Sequence, residues 1–299
     1  MSQTPNGARP FYWSVRRELW EARSILVAPL ATGGLVLLGF LISTIGLPGR
    51  RLQTLALDPL HQLKAIGEPY VVTGEVLTGV MMIVAMFYCL GALFDERRDR
   101  SILFWKSLPV SDLTTVLSKA AIPLAVIPAL TLAAIVGAQA IILLVSTLIL
   151  AAAGVSTAIP WSLGDIVGEG VALVYGLVTL SLWLAPVYGW LLLVSAWARR
   201  APFLWAVLPP LAVSLVEHIA FKSNLFTGAL IDRLTGSDAH AFVGAWPTSV
   251  RGSAGLPPLG LARIDPLKFL ASPGLWVGLL IAAACLAGCV WLRRRREPI

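Results

Sequence analysis

Charged residues are scarce in this chain. Only 13% of its 299 residues are charged, whereas a soluble domain has about 25%. The mean hydropathy is +0.81, and this composition predicts an integral membrane protein. The net charge is +7, but the basic residues stand in small groups beside apolar segments and form no single stripe, which argues against binding of nucleic acid.

Residues typical of common enzyme classes are also few. The sequence has three histidines, His61, His218 and His240, and contains no His-Glu-x-x-His zinc motif and no Gly-x-Ser-x-Gly motif. It also lacks the Gly-x-x-x-x-Gly-Lys-[Ser/Thr] loop that holds nucleotide phosphates. We therefore expect that the chain does not hydrolyse nucleotide by itself and binds no cofactor.

Three cysteines, Cys89, Cys285 and Cys289, all fall within apolar segments. Cys285 and Cys289 share one helix face, but they have no neighbouring histidine or carboxylate, so packing is favoured over metal binding. No disulfide framework is implied.

Long apolar segments make up most of the chain, and a spanning helix needs about 20 such residues. They predict an all-α, single-domain protein over residues 1–299 with six transmembrane helices, at about 25–46, 72–94, 114–150, 169–198, 203–221 and 271–292. Pro123, Pro128 and Pro186 lie inside the third and fourth spans, where neighbouring helices can accommodate a kink.

The segment before the first span combines tryptophans with arginines. Residues 11–23 are predicted to form an amphipathic elbow helix in the membrane interface. A secretory signal is the alternative, but the following apolar run is too long for a signal core and has no clear cleavage site, so we expect it to be uncleaved.

The distribution of lysine and arginine predicts the orientation. Most of the 23 basic residues fall on one side of the six spans: Arg9, Arg16, Arg17, Arg23, Arg97, Arg98, Arg100, Lys106, Lys119, Arg199, Arg200 and the stop-transfer run Arg293–Arg296. Both termini are therefore expected in the cytoplasm.

The outer side has one sizeable loop, residues 222–270. It is expected to hold short helices, one near 224–234, because the run 244–266 is rich in glycine and proline. Gly274 and Gly278 after it have the spacing that permits close helix approach.

Ionisable residues within the spans are sparse. Glu75, Glu169 and Glu217, with His218 beside the last, each fall near the outer end of a predicted helix. They either line an acidic mouth of a transport pathway or extend to the outer interface.

A charged and then aromatic segment separates the second and third spans. Residues 95–110 begin Asp95-Glu-Arg-Arg-Asp-Arg and continue through Phe104 and Trp105 to Pro109, with Ser111 placed to cap the next helix. The basic residues alone would satisfy the positive-inside rule. The mixture of signs beside aromatic anchors instead favours a specific protein contact.

The six predicted spans with both ends inside, the amphipathic elbow helix before the first span and the charged, then aromatic segment together resemble the permease subunit of ABC-2-type ABC transporters. Residues 94–111 are similar to the family's loop between the second and third helices. The resemblance implies a cytoplasmic coupling helix that docks on a separate ATPase subunit. It also implies the contact residues Glu96, Arg97, Arg100, Ile102, Phe104, Trp105 and Lys106. Further implications are two ATPase copies that bind ATP and Mg²⁺, a second permease subunit in a homodimer, and export across a bacterial cytoplasmic (inner) membrane.

Two other functions remain open. A secondary transporter driven by an ion gradient would favour inverted repeats and charged, broken helices near the midplane, and neither is visible in the sequence. A membrane-embedded enzyme would need polar residues clustered at one depth, for which only the outer glutamates and His218 are candidates.

Overall fold

The computed structural model describes residues 8–44, 59–99, 111–152, 163–242 and 264–295. Of these residues 92% are helical and none belongs to a strand. In chain order the helices are α1 (Ala8–Glu21), α2 (Ser24–Ser43), α3 (Pro59–Ala92), α4 (Phe94–Arg98), α5 (Asp112–Ala121), α6 (Ile127–Ala152), α7 (Leu163–Trp197), α8 (Pro202–Phe221), α9 (Leu225–Thr235), α10 (Ser237–Ala241), α11 (Pro266–Ala271) and α12 (Pro273–Arg295).

Six helical segments of the described residues are long and apolar enough to cross a membrane, which confirms the predicted number. Their bounds are Ser24–Ser43, Glu68–Arg98, Asp112–Ala152, Val167–Trp197, Pro202–Phe221 and Pro273–Arg295. The fold is therefore that of an all-helical, multi-pass membrane protein.

Helix α7 is the centre of the bundle. Most of its span is buried, whereas almost none of α8 is. Helix α12 packs along α7, and Gly189 of α7 lies so near it that an added Cβ would be 3.1 Å from the Cα of Ala282 and 3.2 Å from the Cβ of Cys285. A larger residue at Gly189 would separate the two helices.

Local signals in the sequence place several helix ends. Ser111 is the N-cap of α5 as expected, because its side chain accepts the backbone N–H of Thr114. Asp265 caps α11 by accepting the N–H of Lys268, and Pro266 follows at the first helical position. Helix α9 matches the short helix predicted near 224–234.

The third span is interrupted by a π-helical turn, Ile122–Val126, which joins α5 to α6 and contains Pro123. A proline has no N–H to donate and its ring crowds the preceding turn, which accounts for the wider turn here. Pro186 lies inside α7, which continues through it.

Candidate functional site

Five charged side chains are buried in the described residues, and all lie at the end of the bundle where α1, α4, α5 and the ends of α7 and α12 meet. They are Glu18, Glu96, Arg97, Lys119 and Arg293. This end is called the basic end below. Burial of a charge is costly unless an opposite charge and hydrogen bonds compensate it, so their partners define the site.

Lys119 of α5 is the central cation. Its ammonium group lies 2.9 and 3.0 Å from the two carboxylate oxygens of Glu18 on α1 and 3.1 Å from Oε1 of Glu96 on α4. Lys119 is 2% exposed and Glu18 is 3% exposed. One ammonium group thereby holds the N-terminal helix and the short helix α4 against the third span.

Glu96 joins further elements through its second oxygen. Oε2 accepts a hydrogen bond of 2.7 Å from Nη1 of Arg293, and Nε of Arg293 donates to Oδ1 of Asp112 at 3.0 Å. Arg293 of α12 therefore contacts Glu96 just before residues 100–110 and Asp112 just after them. Both ends of that segment are fastened to the last membrane-spanning helix.

Arg17 and Tyr88 complete the partners of Glu18. Arg17 donates to Glu18 at 2.7 Å and to Glu96 at 3.3 Å, and the hydroxyl of Tyr88 on α3 donates to Glu18 at 2.9 Å. The carboxylates of Glu18, Glu96 and Asp112 thus face the cations Arg17, Lys119 and Arg293, and the half-exposed Glu21 adds a fourth carboxylate 3.5 Å from Arg17. A buried ionic cluster requires such opposite charges beside each buried charge.

Two partly exposed side chains of α1, those of Arg17 and Glu21, have pKa values shifted upward. Burial lowers the pKa of the Arg17 guanidinium, but its hydrogen bond and its proximity to Glu18 outweigh this, and the net direction is upward. Partial burial raises the pKa of Glu21, and the charge of Arg17 opposes that rise.

A second set of contacts fixes α4 to the end of α7. The hydroxyl of Ser195 accepts the backbone N–H groups of Leu93 and Phe94 at 3.0 and 2.9 Å. Nη2 of Arg97 donates to the carbonyls of Ser195 and Ala198 at 2.7 and 2.6 Å. A helix leaves its last carbonyls without partners, and Arg97 satisfies that of Ser195 in the last turn of α7 and that of Ala198 just after it.

The predicted contact residues therefore divide into two groups. Glu96 and Arg97 are buried and have partners within the chain; a direct contact with another subunit stays a prediction for them. Arg100, Ile102, Phe104, Trp105 and Lys106 lie outside the described residues. The described residues thus include the first part of the 95–110 segment and the helix that follows it.

At the opposite end, Glu217 has a local function. Its carboxylate accepts the hydroxyl of Ser223 at 2.7 Å and the backbone N–H groups of Leu225 and Phe226 at 2.8 and 2.9 Å, so it caps α9. His218 hydrogen-bonds Asn224. Glu75 and Glu169 are exposed on α3 and α7, and their place in a pathway stays a prediction.

A half-open pocket lies beside the π-helical turn, between α3, α6 and α7. Its lining is mainly apolar, with hydroxyl groups from Thr78, Thr131, Ser181 and Tyr188. Within the described ranges, no group of three or more histidine, cysteine, aspartate or glutamate residues is placed to hold a metal ion.

The buried cluster itself was not predicted. One signal was present: Glu18 shares a face of α1 with Val15, Leu19 and Ala22, which pack against the core. A carboxylate on an apolar face calls for a buried cation, and Lys119 inside an apolar run is a candidate for it. From the sequence, Lys119 was interpreted only as one of the basic residues that set the orientation.

Comparisons of the chain with family models, with curated proteins and with solved structures each find no match.

Proposed function

We propose that this chain is the membrane-spanning permease subunit of an ATP-driven exporter, and that residues 95–110 dock on a separate ATPase subunit. The ATPase binds ATP and Mg²⁺, and two permease copies form the pathway across a cytoplasmic membrane. The observation that carries the proposal is that Arg293 clamps both ends of this segment to α12 through Glu96 and Asp112.

A coupling element transmits movement only if it is rigidly attached to the membrane-spanning helices. The buried cluster attaches α4 in this way, since Lys119 and Arg17 connect α4 to α1 and α5, while Arg97 and Ser195 connect it to α7. A displacement of the 95–110 segment by a nucleotide-driven partner is then passed to these helices together. The bundle responds as a two-state element whose equilibrium the partner shifts.

The position of the buried charges argues against the secondary transporter. Coupling ions in such transporters bind near the midplane, at broken helices. In the segments that the structure describes, the buried charges lie instead at the basic end, where each has a partner of opposite charge or a set of backbone carbonyls.

The test is affinity purification of the tagged chain from its native membrane in mild detergent, with identification of stoichiometric partners and an ATPase assay. We expect an ATPase with a nucleotide-binding loop. Trp105→Ala and Phe104→Ala should each weaken its association by about 2 kcal/mol if the rings are buried at the contact, which is roughly 30-fold in affinity.

Trp276→Ala is the matched control, since Trp276 is an exposed tryptophan at the opposite end of the bundle. It should leave the association unchanged, and all three variants should insert normally into the membrane. Recovery of the chain alone, without nucleotide-dependent activity, would overturn the proposal. Equal recovery of the ATPase with the Phe104 and Trp105 variants would move the docking site elsewhere.

A further inference from the structure

The end of the bundle opposite the ionic cluster contains an arginine inserted between two membrane-spanning helices. Arg233 belongs to the short helix α9, and its guanidinium carbon lies 4.2 Å from the centre of the Trp183 ring on α7. Nη1 donates to the carbonyl of Trp183 at 3.4 Å, and Nη2 donates to the carbonyl of Gly274 on α12. The side chain thus holds α9 to both α7 and α12.

Gly278 provides the space for this side chain. A Cβ added at Gly278 would lie 2.7 to 2.9 Å from the guanidinium atoms of Arg233, which is too close for any real contact. The guanidinium is the end of a flexible side chain, so a methyl group there would displace it. The Gly274 and Gly278 pair, predicted to allow close helix approach, therefore accommodates an arginine from a third element.

Trp183, against which Arg233 lies, also contacts the neighbouring short helix α10. The indole N–H donates to the carbonyl of Asp232 at 2.9 Å, and the ring of His240 on α10 stacks on Trp183 with centres 4.4 Å apart. His240 lies 3.3 Å from a carboxylate oxygen of Asp232. Trp183 is buried, so these contacts share one well-packed anchor.

The other end of α9 is fastened to α8. Glu217 near the end of α8 caps α9, and the hydroxyls of Ser214 and Thr227 hydrogen-bond between the two helices. Helix α8 itself is packed loosely, with Ala206 as its buried residue. It begins after Ala201, a non-glycine residue with φ of 46°. Helices α8 and α9 together make an arm attached to the bundle at both ends.

We propose that Arg233 is a latch. Seated against Trp183, Gly274 and Gly278, it holds the α8–α9 arm onto α7 and α12, and its withdrawal frees the arm to move about the turn at Ala201, which opens this end of the bundle. The proposal goes beyond the transport function, because it depends only on contacts within the chain and holds with or without an ATPase partner.

The latch can be tested by amide hydrogen exchange of the full chain in lipid nanodiscs. Removal of the side chain in Arg233→Ala, or of its space in Gly278→Ala, should speed exchange across α9 and the last turn of α8 by about tenfold or more. In the double variant the second change has nothing left to displace, so exchange should equal that of Arg233→Ala alone. Arg233→Lys, which keeps the charge but loses the planar stack, should accelerate the same amides to a smaller degree.

Gly228→Ala is the matched control, since Gly228 lies on α9 with nothing within 4 Å of an added Cβ, and it should not accelerate exchange. The amides of α5 report on the rest of the fold and should exchange at the same rate in every variant. Unchanged exchange in α9 for Arg233→Ala, additive effects in the double variant, or equal acceleration in α5 would each overturn the latch.

Discussion

Lys119 is the residue on which the charge balance of the buried cluster depends most, since it is the fully buried cation in contact with both Glu18 and Glu96, whereas Arg17, which also contacts both, is 21% exposed. We predict that Lys119→Met lowers the free energy of unfolding by about 3–5 kcal/mol, because it leaves two buried carboxylates close together with the partly exposed Arg17 as their one remaining shared cation. Denaturant-induced unfolding of the purified protein in mixed micelles measures this change.

The matched control is Arg98→Met. Arg98 forms its ion pairs with Asp95 and Asp99 at the surface of α4, the short helix that carries Glu96. Such surface pairs contribute little, so we expect no measurable change. Adding Glu18→Gln to Lys119→Met should recover part of the lost stability. The cluster would have no stabilising function if Lys119→Met unfolded no more easily than Arg98→Met.

The sequence could not predict these pairings, and the reason is separation along the chain. Glu18 and Lys119 are 101 residues apart, and Glu96 and Arg293 are 197 apart. Hydrophobic periodicity tells which face of a helix is buried but not which helix it meets. The mixed charges after Asp95 were interpreted as a surface for a partner, and that contact stays a prediction; the burial of Glu96 and Arg97 and their pairing within the chain were not foreseen.

At the scale of elements, Ser195 connects the fourth span to the end of the second span by hydrogen bonds. We predict that Ser195→Ala lowers the free energy of unfolding by about 1–3 kcal/mol, because it removes the acceptor of the buried N–H of Leu93 and of the partly buried N–H of Phe94. The same unfolding measurement applies, and amide exchange at Leu93 and Phe94 should speed up.

Ser181→Ala is the comparison for this prediction. Ser181 is also buried on α7, but its hydroxyl only donates to the carbonyl of Leu177 one turn earlier in the same helix. Losing that bond removes no contact between helices, so we expect a change within about 0.5 kcal/mol. A similar decrease in the free energy of unfolding for both variants would mean that Ser195 does not stabilise the contact between the two spans.

The elements themselves were largely predictable because their signals are local. The length of each apolar run gave the six spans, and Ser111 marked the start of the third. The sequence also indicated a helix near residues 11–23, where α1 lies; its position in the membrane interface stays a prediction. The π-helical turn at Ile122–Val126 was not predicted, since a proline in a span indicates a kink but not the form that it takes.

At the scale of the whole molecule, we predict that the two termini lie on the same side of the membrane, because the number of candidate spans is even. The basic end includes both the start of the first span and the end of the last, since Glu18 of α1 and Arg293 of α12 belong to one cluster. The excess of lysine and arginine on this side predicts that it faces the cytoplasm.

Helix α8 offers the sharpest test of this orientation, because it is the span with the least support from packing and is bounded by short turns. We predict that a cysteine in place of Lys222 reacts with a membrane-impermeant maleimide in intact cells, while one in place of Arg200 reacts only after permeabilisation. The three native cysteines are replaced by alanine for this purpose.

The 20 residues of α8 extend about 30 Å, the thickness of the hydrocarbon core, so the two positions should lie on opposite sides. The reverse pattern would invert the orientation and place residues 95–110 outside, beyond the reach of a cytoplasmic ATPase; labelling of both in intact cells would show that α8 does not cross the membrane.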